Sequence, residues 1–208
     1  MIRIITFILT MLFAWLSAQN QYETGMHQAL KLWGDNKPQE ALSLFERIAN
    51  VEKNEWLPNY YIGLIQTVQA FQSGNDKEKM AKLLENAQLA HDNAKLIAKT
   101  NVELMVLQAM IQTGWIVYDP MVNGMNLSLE VNKIYAEALK IEPNNPRVIF
   151  RQAQFEMGSA KYFGSSIKPM CDRIRQSIEL FDKYKPESAL HPSWGKSFAE
   201  EVLIECNQ

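Results

Sequence analysis

From residue 20 onward, apolar side chains recur at intervals of three and four, and clusters of Gly, Pro, Asn and Asp interrupt that rhythm. Such spacing puts the apolar positions on one face of a helix, and no stretch alternates long enough to make a strand. The pattern predicts nine helices, over 20–34, 38–51, 56–73, 76–99, 101–117, 128–142, 145–162, 166–184 and 193–206. Each break has a local chemical cause, as at Gly34-Asp35-Asn36, Gly74-Asn75-Asp76, Asp119-Pro120, Asn144-Asn145-Pro146 and the stretch from Pro186 to Pro192. Pro38 and Pro146 fall in the first turn of their helices, where a missing N–H costs nothing. Short connections imply antiparallel neighbours, hence an all-α stack of helix hairpins.

Residues 1–18 follow a different rule. Arg3 precedes an uncharged apolar run from Ile4 to Leu16, and Ser17-Ala18-Gln19 closes it with small residues. The run holds 13 residues, whereas a helix crossing a bilayer needs about 20. The expectation is a cleaved signal peptide over 1–18, a single helical domain over 19–208, a periplasmic or secreted location, and no stable membrane insertion after cleavage.

A helix pair that cannot bury its own face stacks on a copy of itself, so a fixed repeat period is informative. Ala29 and Gly63 stand 34 residues apart, and between them runs Gly34-Asp35-Asn36-Lys37-Pro38-Gln39-Glu40-Ala41-Leu42-Ser43-Leu44-Phe45. A second stretch, Tyr135-Ala136-Glu137-Ala138-Leu139-Lys140-Ile141-Glu142-Pro143-Asn144-Asn145-Pro146, ends in Ala153. Both resemble the tetratricopeptide repeat, with small residues where paired helices cross and Ala41 and Phe45 at the small and aromatic positions of the second helix. With its short leader and a terminal helix opening at Trp194-Gly195-Lys196, the chain is similar to exported repeat proteins of Bacteroidetes-like bacteria. The resemblance implies antiparallel hairpins in a right-handed superhelix, here about four pairs and a C-terminal capping helix. Ala109 to Ala138 exceeds the regular spacing, and the excess falls in an insertion over 118–126.

Composition narrows the chemistry. The precursor has 208 residues, 47% hydrophobic and 21% charged, with 21 basic and 23 acidic residues. That is a folded chain with no electrostatic pull toward nucleic acid. His27, His91 and His191 lie on distant segments without metal-ligand spacing, and Ser165-Ser166 has no base or orienting group beside it. No metal, cofactor or catalytic residue is expected, and the chain reads as a non-enzyme. Cys171 and Cys206 are equidistant from the Pro186–Pro192 turn, so an antiparallel hairpin brings them together; in an oxidising compartment a disulfide is expected.

In repeats of this kind, the resemblance implies binding on the concave face lined by the first helix of each pair. By register that face presents Met26, Leu30, Trp33, Tyr60, Leu64, Arg147, Phe150, Arg151 and Gln154. Arg147 and Arg151 lie one turn apart, so they are expected either to clamp an anion or to pair with Glu residues. The expected function is a non-catalytic scaffold in the bacterial envelope that holds a protein or peptide partner. Two alternatives accompany it. One is an enzyme or small-ligand carrier with a pocket at 118–126 and 158–168, marked by convergence of Tyr118, Asp119 and Arg151. The other is a structural subunit of an envelope assembly.

Overall fold

In the computed structural model, which describes residues 20–207, nine α-helices and one short 3-10 turn follow one another, and no strand occurs among the described residues. They are α1 over 20–34, α2 Pro38–Val51, α3 Leu57–Phe71, α4 Lys77–Ile97, α5 Val102–Tyr118, α6 Pro120–Ile141, α7 Pro146–Tyr162, α8 Lys168–Phe181 and α9 Lys196–Ile204. The expected leader over 1–18 lies outside the described residues. No described helix is long and apolar enough to cross a membrane.

Helix starts follow the sequence chemistry. Asp76, Asn101, Asp119 and Asn145 each accept a backbone N–H of the first turn through a side-chain oxygen, which satisfies donors the helix leaves orphaned. Pro38, Pro120 and Pro146 occupy first positions. One expectation fails here. The 118–126 stretch is not an inserted loop, because α6 begins at Pro120 and runs unbroken to Ile141.

Successive helices pack as antiparallel hairpins, α3 with α4, α5 with α6 and α7 with α8, while α5 also packs on α3 and on α7. Most of the buried apolar side chains form one core running from Met26 to Val148. A second, smaller core joins α7, α8 and α9 through Phe150, Met157, Ile174, Ala199 and Val202. The helices cross closely at glycine. A Cβ on Gly63 would stand 3.0 Å from Leu107 Cδ2 and 3.2 Å from the Ala87 carbonyl oxygen, so α3 approaches both α4 and α5 through that position.

The stretch between α8 and α9, 182–195, is a strap laid back across the first helices of the hairpins. Tyr61 Oη donates to the Leu190 carbonyl oxygen at 2.8 Å, and Trp194 Nε1 donates to Tyr60 Oη at 2.8 Å. Leu190 joins the main core, and Pro192 is buried. The strap ends at Gly195, whose φ of +118° and close packing on Phe181 exclude a side chain.

Candidate functional site

The residues expected to line an open concave face are largely interior. Met26, Tyr60, Leu64, Arg147 and Phe150 are buried, while Leu30, Trp33, Arg151 and Gln154 are half-buried. The strap covers Tyr60, Tyr61 and Arg147, so the groove read from register is filled by the chain's own residues. Sequence spacing cannot reveal this, because the strap sits more than a hundred residues from the helix it covers.

Arg147 does not clamp an external anion together with Arg151. Its Nε donates to Glu103 Oε2 and its Nη2 to Glu103 Oε1, both at 2.7 Å, in a bidentate pair between α7 and α5. Asn145 Nδ2 donates to Glu103 Oε1 at 3.1 Å and to Glu142 Oε2 at 2.7 Å, so the residue that caps α7 also steadies the carboxylate. Burial disfavours the Arg147 charge, but the hydrogen bonds and charge of Glu103 outweigh it and hold the guanidinium above its ordinary range. Glu103 escaped the sequence reading, although a single carboxylate in the apolar helix 102–118 is a usable signal.

Arg151 has no carboxylate partner among the described residues. Burial pushes it down to about 10, which leaves it charged at neutral pH, and Tyr135 and Tyr60 oppose the shift. Its guanidinium lies 5.3, 5.0 and 4.9 Å from the ring centres of Phe150, Trp194 and Phe198, and Nη1 donates to Gln154 at 2.8 Å. Ring faces replace part of the lost hydration. Tyr118, Asp119 and Arg151 do not converge: Asp119 caps the start of α6, whereas Tyr135, which opposes the shift at Arg151, lies 16 residues along it, about 24 Å away.

Cys171 and Cys206 are joined by a disulfide with Cα atoms 5.8 Å apart, which ties α8 to the 3-10 turn after α9. His91 is buried, and burial lowers its pKa against the opposing pull of Asp92. Among the described residues no three His, Cys, Asp or Glu side chains gather into a metal-binding group.

Large exposed apolar side chains concentrate elsewhere. The first half of α6 buries none of its side chains, and Met121, Val122, Met125 and Leu129 stand on its free face, Met121 at 88% exposure and Met125 at 80%. Val117, at the end of α5, is exposed as well. The neighbouring corner, from α7 into α8, carries Tyr162 and Phe163, which are 73% and 78% exposed and pack edge to face at 5.1 Å. In an alternating hairpin stack the ends of α3, α5 and α7 fall on one edge, and Lys77 bonding to the Tyr118 carbonyl ties two of these corners together. These exposed residues fall within, or up to three residues from, the 118–126 and 158–168 segments, where sequence reasoning set the alternative pocket.

No family model matches the chain, and no curated protein does. The fold is shared with a solved structure. The HusA haemophore from Porphyromonas gingivalis superposes with a TM-score of 0.75 at 23% identity, over 88% of this chain and 91% of that one.

Proposed function

We propose that this chain is an exported, non-catalytic carrier of a small, planar, mainly apolar ligand, and that a tetrapyrrole such as haem is its ligand class. The observation that carries the reading is the exposed apolar stripe of Met121, Val122, Met125 and Leu129 on α6, with exposed Val117 at the end of α5 and the exposed Tyr162–Phe163 pair at the end of α7. Contiguous apolar surface of this kind is rare unless something covers it. Methionine suits it to a flat ligand, being unbranched, polarisable and adaptable, and favourable beside aromatic rings. The shared fold with a haemophore supports the same class, and the pattern of residues 1–18 supports export. The concave-face reading has no such support, since its central residues are enclosed by the strap.

Titration of the purified chain with haemin, followed by absorbance of the porphyrin band, tests both class and place. Saturable binding is expected, weakened roughly tenfold in Met125→Ser with Phe163→Ser, about 1.4 kcal/mol. Failure of the unaltered chain to bind haemin rejects the ligand class. Equal affinity in a well-folded double variant rejects the edge as the site.

A further inference from the structure

A cleft on the opposite side of α5 from the strap-covered face has a chemistry of its own. It lies between α4 and α6 with α5 as its floor, and its volume is about 420 Å³, within the range that holds small ligands. Gln88 and Gln108 exchange two amide hydrogen bonds of 2.9 Å, which pins α4 to α5 in register and fixes the floor. Counting from that pair, Lys95 stands level with Asn101 at the start of α5.

The two ends of the cleft ask for opposite groups. At one end, Lys95 and Lys99 outnumber Glu137, and Asn101 caps the positive end of the α5 dipole. Toward the other end the cleft is lined by Glu130 and by Gln112, whose Oε1 is buried with no donor among the described residues. A buried acceptor without a donor is costly, and an incoming N–H relieves it. Leu104, Met105 and Ile134 line the middle. None of Lys95, Lys99, Lys133, Glu130 and Glu137 forms an ion pair among the described residues, although both signs line one cleft. The cleft therefore offers unpaired charges of both signs, with Leu104, Met105, Ile134 and the cationic Lys133 between its two ends.

From these placements we infer that the α4–α5–α6 cleft binds a short free peptide with small apolar side chains. Its ammonium group meets Gln112 and Glu130, and its carboxylate meets Lys95 and Lys99. Asn101 and Gln112 are eleven residues apart on α5, about 16 Å. Side chains reaching inward from both ends leave a span that three or four extended residues fill at about 3.4 Å each. The inference does not depend on the tetrapyrrole reading, because none of these residues lies on the exposed apolar edge.

Calorimetric titration with tetraalanine, its N-acetyl form and its C-terminal amide tests it on the unaltered chain. Tetraalanine is expected to bind saturably, and capping either end to weaken it about tenfold or more. Gln112→Met is expected to bind free and acetylated peptide within about threefold of each other, and Lys95→Gln with Lys99→Gln to do the same for free and amidated peptide. Absence of saturable binding to the unaltered chain overturns the inference, as does equal binding of capped and free peptides. Haemin titration of the same variants is expected to be unchanged, so this result and the carrier result are read separately.

Discussion

Arg147 shows how one residue's setting decides what it can do. The side chain has no exposure, its charge is met by the two oxygens of Glu103, and its face lies over Tyr184 at 4.5 Å from the ring centre. A buried pair of this kind adds little net stability when intact, yet removing one partner strands a charge in the interior. Glu103→Gln is therefore expected to cost about 3 to 5 kcal/mol in urea unfolding at neutral pH. Replacing both partners, Glu103→Leu with Arg147→Met, should recover most of that loss. A single substitution costing below about 1 kcal/mol would show that water reaches the site and solvates the guanidinium. The same burial governs what an Arg147→Ala variant would report. Any loss of partner binding in that variant reports disruption of the α5–α7 packing before it reports a lost ligand contact. Sequence reasoning placed Arg147 on a binding face because register alone does not show that Glu103, 44 residues earlier, stands opposite it.

At the scale of elements, the repeat spacing marks a real crossing. Ala29 and Gly63 are both buried, and Gly63 touches two neighbouring helices at once. Gly63→Leu is expected to force α3 away from Leu107 and the Ala87 carbonyl, costing about 1 to 3 kcal/mol and lowering the melting temperature by several degrees. An unchanged melting temperature would mean that α3 and α5 separate freely, against the packing described. Helix limits were legible wherever a capping residue and an apolar rhythm agreed, as over 20–34 and 38–51. They were not legible at 118–126, where Asp119, Pro120, Asn123 and Gly124 look like punctuation. The physical cause is local. Asp119 caps the new helix, Pro120 fits its first position, and Asn123 Nδ2 donates to the Trp115 carbonyl oxygen at 2.8 Å. Residues that ordinarily stop a helix here start one. The exposed stripe on α6 was hidden for the same reason, since a face exists only once the segment is helical.

For the whole molecule, the strap and the disulfide work together. Helix α9 has nine residues, too few to persist without tertiary support, and buries Ala199 and Val202 against α7 and α8. The Cys171–Cys206 bond encloses the strap and α9 in a loop of sequence separation 35, and a chain-entropy account assigns closure of that loop about 4 kcal/mol. Opening the bond should act unevenly. The strap would still hold its bonds to Tyr60 and Tyr61, but α9 would lose the tether at its far end, so freedom should begin near residue 204 and work back toward Trp194. Hydrogen exchange of the chain with and without reductant checks this directly. Amides of α9 are expected to lose protection first, those of the strap next, and those of α3, α4 and α5 to keep theirs. Uniform loss along the chain would mean that the two cores unfold as one unit. No change in α9 would mean that Ala199, Val202 and their neighbours hold it without the bridge. A staged response would make the inner face, closed in the oxidised protein, accessible only after reduction, while the outer edge on α6 and the α4–α5–α6 cleft stay open in both states.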